Sequence, residues 1–344
     1  MSILAQDVAV SLVDDAFIFT TQTQERSFVL PAYVAIVTGT GRMLACGEEA
    51  KAMLGKESGN ISVVRVLDEG IIADPQAAES LFRFGLRKLL GRVVLIRPRV
   101  LLSSRTHASG HALVKNMAIA GGAREVYLIE MGMATAIGMQ LDVQKPEIKA
   151  VLSVSDDWFE FSIISLAGVL GGTQGAIGSR SFVEDIQNHL TLARQFRPEA
   201  ATLQAHLHTR GVNPDAAVDL PGWETWTGRT EQGRLTVQNV SLDEMTVGMM
   251  PSLARMTEKI KDVIRRLTRE KQYPFSQTTI QATGTTLGIP GMVKLMAKQL
   301  GHSVTAFTSE VHPSIAGCQI VLKELNYLKQ LTKRTEVTEP TRAC

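Results

Sequence analysis

Two short stretches of the chain have nearly the same sequence, and they constrain the fold more than any other feature. Residues 8–19 read VAVSLVDDAFIF, and residues 150–161 read AVLSVSDDWFEF. Each is an apolar run, an Asp-Asp turn and a second alternating run, which is typical of a β-hairpin. Two matching hairpins predict a chain made of two related halves. The identical pairs in the ungapped alignment are Ser11 with Ser153, Asp14 with Asp156, Asp15 with Asp157, Phe17 with Phe159, and Phe19 with Phe161.

Length, charge and cysteine content limit the class of protein. A chain of 344 residues is long enough for two lobes. Its net charge of +2 indicates no global attraction to nucleic acid. The three widely spaced cysteines argue against a disulfide framework or a zinc site and suit a reducing cytoplasm. Without a signal peptide or an apolar run of about 18 residues, we expect a soluble protein, or one bound to a membrane surface.

The periodicity of the remaining chain alternates between strands and helices. Residues 77–90 predict a helix whose apolar face holds Leu81, Phe84, Leu86, Leu89 and Leu90. Residues 245–267 predict the longest helix and residues 313–331 a closing helix. Residues 213–231 are polar and are interpreted as loop with some exposed strand.

Several motifs, in order and at the expected spacing, resemble the bacterial actin MreB family. They are GEEAKAMLGK at 47–56, EGIIAD at 69–74, GGAREV at 121–126, LIE at 128–130, MATAIG at 133–138, and ISL with GV at 164–169. The resemblance extends from about Asp7 to about Leu322 and is weaker between Phe196 and Asn239. It implies an α/β fold, namely the duplicated actin-like fold of actin, sugar kinases and chaperone ATPases, with two lobes and a central interdomain cleft.

The resemblance also implies domain boundaries. The first half would be 1–148, with a small subdomain at about 36–75. The second half would be 149–331, with a small subdomain at about 182–244, followed by a flexible tail at 332–344.

In the family, each half contributes a phosphate hairpin with a strand Asp and a glycine-rich turn. Glycine lets backbone N–H groups approach phosphate oxygens, and the Asp organises Mg²⁺ and its waters. Here the strand Asp matches Ser11 and Ser153, and the first turn's glycine matches Val13. The triple glycine of the second hairpin matches Ser155-Asp156-Asp157, followed by Trp158-Phe159 in place of two Thr.

Other family positions differ as well. The catalytic Glu matches Met131, and Glu130 stands one position early, so no catalytic residue is assigned. The third glycine-rich loop is reduced to Gly284-Thr285-Thr286. The family's polar adenosine contacts match Ala201, Gln204 and His206.

The substitutions predict that the nucleotide site is vestigial. Asp14, Asp15, Asp156 and Asp157 around a triphosphate would cost several kcal/mol at an effective dielectric constant of about 20. We therefore expect no ATP hydrolysis, weak or absent ATP binding, and no resident metal; bound ATP with Mg²⁺ is disfavoured. Equally, the Asp pairs can be read as ordinary solvated turn residues.

Two arginines suggest what replaces the nucleotide. Arg105 stands where the family has Pro beside the first half's cleft, and Arg180 where it has Asp after Gly178. New acids and new bases at one cleft suggest that Asp-Arg pairs close it. The alternative is that both arginines are solvated, as loop arginines often are.

A membrane-binding loop is expected between residues 89 and 100, which read LLGRVVLIRPRV. The family has a loop here whose apolar residues enter the membrane. Its counterpart is Val93-Val94-Leu95-Ile96, flanked by Arg92, Arg97 and Arg99. The alternative is that these apolar residues begin a buried strand.

Two weaker signals have ordinary structural explanations. His206 and His208 could bind a metal, but without a Cys or carboxylate nearby a solvated helix end is favoured. Trp223 and Trp226 could bind a partner, but we expect them to pack a small subdomain.

The preferred interpretation is an actin-like structural protein, cytoplasmic and peripheral at the inner face of the cell membrane. It would form filaments with itself or with an MreB-type protein, would not bind nucleic acid, and would serve cell shape or the placement of a membrane complex. One alternative is an ATP-binding assembly ATPase of the MreB type with an unusual pocket. The other is an actin-like adaptor that does not polymerise.

Overall fold

The computed structural model describes residues 7–22, 27–57, 59–68, 70–91, 96–105, 108–215, 223–230, 232–271, 275 and 278–324. The chain forms two compact units. Unit 1 comprises Met1–Val143 and Ser309–Cys344, and unit 2 comprises Gln144–Thr308.

The first part of unit 1 contains β1 (Val8–Val13), β2 (Ala16–Thr21), β3 (Ser27–Pro31), β4 (Tyr33–Val37), β5 (Arg42–Cys46), α1 (Glu48–Met53), β6 (Ile61–Arg65), β7 (Leu67–Asp68), β8 (Ile71–Ile72), α2 (Pro75–Leu90), β9 (Arg99–Ser104), α3 (Ala108–Ala120), β10 (Glu125–Glu130) and α4 (Met131–Gly138). Unit 2 contains β11 (Lys149–Val154), β12 (Phe159–Ser165), β13 (Gly168–Gly175), α5 (Ser179–Arg194), β14 (Arg197–Pro198), α6 (Ala200–Arg210), β15 (Trp223–Arg229), β16 (Leu235–Ser241), α7 (Leu242–Lys271), β17 (Ile280–Thr283), α8 (Met292–Leu300) and β18 (Val304–Ala306). The chain then returns to unit 1 with α9 (Pro313–Lys323).

The two main sheets have the same topology. The sheet of unit 1 has the order β10-β9-β1-β2-β3, and that of unit 2 has the order β18-β17-β11-β12-β13. In each sheet, the first three strands in chain order form antiparallel pairs. Of the remaining two strands, one pairs in parallel with the first strand, and the other pairs in parallel with that one. The duplication predicted from the two hairpins is therefore present in the fold.

Local sequence explains where α2 begins and which face it buries. The side chain of Asp74 caps the helix by accepting from the N–H groups of Gln76 and Ala77 at 3.0 and 2.9 Å, and Pro75 occupies the first turn. The predicted apolar face contained one error. Phe84 is exposed, whereas Phe82 is fully buried beside Phe19. Position 82, and not position 84, therefore lies on the face of α2 that packs against the sheet.

Each unit also has a small three-stranded sheet. In unit 1 it is ordered β5-β4-β6 and packs with α1, and in unit 2 it is ordered β14-β15-β16. Strands β3 and β4 are separated only by Ala32, yet they belong to different sheets. The segment 213–231 contains β15, whose Trp226 is buried in the core of unit 2. The side chain of Trp223 lies outside the described residues.

The closing helix α9 belongs to unit 1, whereas the expected second half extended to residue 331. Its Ile315, Cys318 and Val321 are buried, and Gln319 donates to the hydroxyl of Thr20 at 2.5 Å. The helix therefore completes the core of unit 1 although it follows unit 2 in the chain. It ends at Lys323; residues 325–331 of the predicted helix and the tail at 332–344 lie outside the described residues.

Helix α7 is longer than predicted and contains Pro251 in its interior. Its buried apolar residues include Leu253, Met256, Ile260, Val263 and Ile264. Among the described residues, no helix is long and apolar enough to cross a membrane.

Helices α4 and α9 approach each other so closely that Gly138 and Gly317, at their contact, leave no room for a side chain. A Cβ at Gly317 would lie 1.8 Å from the carbonyl oxygen of Ala134, and one at Gly138 would lie 1.8 Å from that of Pro313. We expect Gly317→Ala to destabilise the protein by about 3 kcal/mol or more, because the two backbones must separate. Thermal unfolding followed by circular dichroism measures this.

The control for this prediction is Gly288→Ala, where a Cβ would meet nothing within 4 Å. It should leave the melting temperature nearly unchanged. Equal melting temperatures for the two variants would contradict the close-packing argument.

Candidate functional site

Ser11 and Ser153 occupy equivalent positions at the carboxyl ends of β1 and β11. In the parallel pairs, Ser11 lies opposite Ser103, and Ser153 lies opposite Thr283. Both serines are buried. Each unit therefore places two neutral hydroxyl groups where parallel strands end, just before a hairpin turn, and neither position has a carboxylate that could organise a metal ion.

In unit 1, Ser11 belongs to a chain of neutral hydrogen bonds. Its hydroxyl lies 2.6 Å from that of Ser314, which lies 2.8 Å from Nδ1 of His312. The same Nδ1 accepts from the backbone N–H of Ser314 at 3.3 Å and so caps α9. Burial lowers the pKa of His312 to about 4. The imidazole is therefore neutral near pH 7, with Nδ1 as an acceptor.

The first hairpin turn is held by residues of its own unit. Asp14 adopts a left-handed conformation with φ 55°, which Asp tolerates better than most residues. The carboxylate of Asp15 accepts from Nζ of Lys51 at 3.1 Å. Burial and the nearby carboxylate of Asp15 raise the pKa of the Tyr33 hydroxyl.

The second hairpin turn is held more extensively. Oδ1 of Asp156 accepts from the hydroxyls of Ser179 at 2.7 Å and Thr285 at 2.9 Å. Asp157 forms an ion pair with Arg180, with Nη1 2.7 Å from Oδ1 and 2.9 Å from Oδ2. Both carboxylates are thus engaged by side chains from the start of α5 and from the loop after β17.

The loop after β17 and the residue before α5 also lie close to the backbone of the second hairpin. The hydroxyl of Thr286 donates to the carbonyl of Ser155 at 2.5 Å. At Gly284, whose φ is +118°, a Cβ would lie 2.1 Å from the carbonyl oxygen of Val154. At Gly178 a Cβ would lie 2.3 Å from that of Ser155. The loop at 284–286 therefore packs on the hairpin instead of standing apart from it.

The other predicted cleft residues lie as follows. Val13 is the last residue of β1 and is buried. Arg105 follows β9 directly and is also buried; its pairing with an Asp of the hairpins stays a prediction. Met131 is fully buried at the start of α4, and Trp158, which follows the second Asp pair, is also buried. Desolvation raises the pKa of Glu130, the residue just before α4, and His111 partly offsets this shift.

The adenosine-contact positions partly serve internal packing. Gln204 donates to the Ser179 hydroxyl at 3.4 Å, and the ring of His206 meets Trp226 edge-on at 4.5 Å. Sequence reasoning missed Ser179, Lys51, Ser314 and His312 as partners of the hairpins. No local pattern marks them, because they come from distant parts of the chain. Among the described residues, no cluster of three His, Cys, Asp or Glu side chains could hold a metal ion.

Only part of the predicted membrane loop is described. Arg92, Val93, Val94 and Leu95 lie outside the described residues. Ile96 is 36% exposed, and Arg97 is exposed. Because β9 begins at Arg99, Ile96 lies before the buried strand and is not part of it.

Comparisons with known proteins agree with the duplicated topology. The family model described as MreB/Mbl protein matches residues 19–330. The cell shape-determining protein Mbl of Bacillus cereus is 23% identical over 312 residues, which covers 88% of this chain and 92% of Mbl. MreB5 of Spiroplasma citri bound to AMPPNP has a TM-score of 0.78 at 17% identity, covering 95% of this chain and 98% of MreB5. The MamK double helical filament has a TM-score of 0.69 at 14% identity, covering 93% of this chain and 99% of MamK.

The neutral His312 predicts a specific loss of stability in acid. Its pKa falls from 6.5 in the unfolded chain to about 4 in the folded one, so between these values the unfolded state binds the extra proton. The unfolding free energy that the neutral His312 contributes is fully present above pH 6.5, and it declines as the pH falls towards 4. Between pH 7 and 5 we expect it to cost about 2 kcal/mol of unfolding free energy.

Urea unfolding at pH 7 and pH 5 measures this cost, with His312→Asn as the comparison. Asn retains a capping side chain but does not titrate, so its unfolding free energy should fall by about 2 kcal/mol less over the same range. If both proteins lose the same stability, His312 is not the group responsible.

Proposed function

The chain belongs to the MreB/Mbl family, and on that premise we propose that it is a cytoskeletal scaffold that forms filaments without hydrolysing ATP. The family is actin-like, and its characterised members include proteins named as cell shape-determining. The proposal concerns what this member does with the family fold. The main observation that supports the proposal is that side chains of the same unit bind the carboxylates of Asp15, Asp156 and Asp157.

The hydrogen bonds at the second hairpin support the loss of nucleotide binding. A phosphate group at this turn would need backbone N–H donors and a metal ion. Instead, the turn presents two carboxylates, which would repel phosphate oxygens. The side chains of Ser179, Thr285 and Arg180 already satisfy those carboxylates at 2.7 to 2.9 Å. Binding a nucleotide would require breaking these contacts first.

The first hairpin supports the same conclusion. Asp15 pairs with Lys51, and Ser11 is linked to the neutral Ser314 and His312. No carboxylate of β1 is available to hold the waters of Mg²⁺, because Ser11 stands at the strand position. Both units therefore favour a nucleotide-free state stabilised by their own side chains.

Filament formation is proposed from the family and from the fold. MamK, which shares the fold, forms a double helical filament. We propose that this chain assembles with itself or with an MreB-type protein that hydrolyses ATP. Such a filament would act as a scaffold in cell shape or in the placement of a membrane complex.

We further propose that the filament lies at the inner face of the cell membrane, with the protein in the cytoplasm. The exposed Ile96 and Arg97 before β9 support a lipid contact. Apolar side chains that enter the bilayer contribute roughly 1.5 to 3 kcal/mol each, and each nearby Arg about 1 kcal/mol. A single loop binds weakly, whereas a filament that presents many copies binds strongly.

Calorimetry and electron microscopy test the nucleotide-independent filament. We expect no saturable heat on titration with Mg-ATP up to about 1 mM, which corresponds to less than about 4 kcal/mol of binding free energy. We expect filaments in negative stain with and without ATP. MreB5 of Spiroplasma citri, which was solved with AMPPNP and with ADP, is the positive control for binding.

A second variant shows whether charge is the cause. In Asp156→Asn/Asp157→Asn the two carboxylates become neutral amides of the same size, so any ATP binding that appears only in this variant identifies electrostatic repulsion. Saturable ATP binding by the unaltered chain would favour the assembly ATPase instead. A chain that forms no filaments under any condition would favour the non-polymerising adaptor.

Liposome co-sedimentation tests the membrane loop. We expect Leu95→Asp/Ile96→Asp to reduce pelleting with anionic vesicles by at least about tenfold, because two apolar insertions are replaced by charges. The control is Val311→Asp, which changes an exposed apolar residue outside the loop. Equal pelleting of the loop variant and the unaltered chain would contradict a role for this loop.

A further inference from the structure

The small sheet of unit 2 has one face packed on the core and one face open to solvent. Residues directly opposite each other in an antiparallel pair project to the same side. Val237 lies opposite Thr227, and Leu235 lies opposite Arg229, which in turn lies opposite Arg197 of β14. We call the open side the outer sheet face. Its members are Arg197, Thr225, Thr227, Arg229, Leu235, Val237 and Asn239.

Two large apolar side chains stand on the outer sheet face. Leu235 is 70% exposed and Val237 is 60% exposed, whereas Trp226 and Val240, on the opposite face, are buried. Leu235 is the first residue of β16 after the turn that follows β15. The apolar side chains therefore protrude near the end of a hairpin, where a flat surface can reach them.

The same face carries positive charge that no described carboxylate neutralises. Arg197 donates to the amide oxygens of Gln187 at 3.0 Å and Asn188 at 3.4 Å, and Arg229 donates to the carbonyl of Gly233 at 3.1 Å. These acceptors are neutral, so both guanidinium groups keep their net charge.

Arg234, exposed in the turn, adds a third positive charge. The described members of the outer sheet face include no Asp or Glu, although the chain has 34 acidic residues against 36 basic ones. Glu231 of the turn lies outside the described residues. The complementary surface is therefore anionic and able to accept apolar side chains.

We propose that the outer sheet face is a second membrane-contacting surface, which binds the headgroup region of an anionic bilayer. The inference rests on the proposed function and extends it to unit 2. Apolar side chains enter the interface between headgroups and acyl chains while neighbouring arginines bind lipid phosphates. Nucleic acid would use the arginines but leave Leu235 and Val237 in water, so a bilayer accounts for both features.

Co-sedimentation of the full chain with vesicles of phosphatidylglycerol and phosphatidylcholine tests the proposal. Leu235→Asp/Val237→Asp and Arg229→Gln/Arg234→Gln should each reduce binding to anionic vesicles about tenfold. Pure phosphatidylcholine vesicles should bind the unaltered chain weakly. The matched control is Leu166→Asp in the same unit. Leu166 is 56% exposed with φ 49°, a conformation that Asp tolerates, so its binding should not change.

Comparison with Leu95→Asp/Ile96→Asp separates this proposal from the proposed function. If only the loop variant loses binding, the outer sheet face is not a membrane surface, although the membrane association stands. If the unaltered chain does not pellet with anionic vesicles, both fail. Polyglutamate is the probe for an acidic protein partner. If it binds the unaltered chain but not the outer-face variants, and all of them bind vesicles equally, the face binds an acidic protein and the lipid proposal is overturned. Circular dichroism confirms that each variant is folded.

Discussion

The parallel pairing of β1 with β9 and of β11 with β17 is the constraint on which the candidate site depends. It brings Ser11 beside Ser103 and Ser153 beside Thr283 in the same register. The hairpin turns then begin at the same edge of each sheet, where loops from later in the chain can contact them. Because the two sheets share strand order and direction, a change in one hairpin has an equivalent position in the other.

In both hairpins, side chains of the same unit bind polar groups of the turn region, but with different chemistry. In unit 1 a neutral chain links Ser11 to Ser314 and His312, and one lysine pairs with Asp15. In unit 2, hydroxyls hold Asp156 and a guanidinium holds Asp157. Buried or partly buried polar groups are costly when unpaired, so these partners stabilise the turns in the form described. These contacts support the proposal that both turns are stable without a nucleotide.

The proposed lipid contacts in the two units combine the same chemistry on different supports. Apolar side chains flanked by arginines occur in the sequence before β9 and again on the outer sheet face. The first was found from a family resemblance, because it is contiguous in sequence. The second joins residues from β14, β15 and β16, and it became visible only when strand pairing placed Arg197 beside Arg229 and Leu235.

The sequence by itself determined the duplication, both hairpins and most helices, because apolar periodicity and turn residues act over short distances. The α/β architecture followed from the resemblance to the MreB family. The resemblance to the family also predicted which family positions lack their usual acids and glycines. The sequence placed Phe84 on the wrong face of α2 and assigned the closing helix to the second half. Only the tertiary structure decided that α9 completes unit 1 and that Ser179, Thr285 and Lys51 hold the hairpin acids. Those partners are up to 129 residues distant, and they meet because burial of the strands and helices brings their loops to one edge of each sheet.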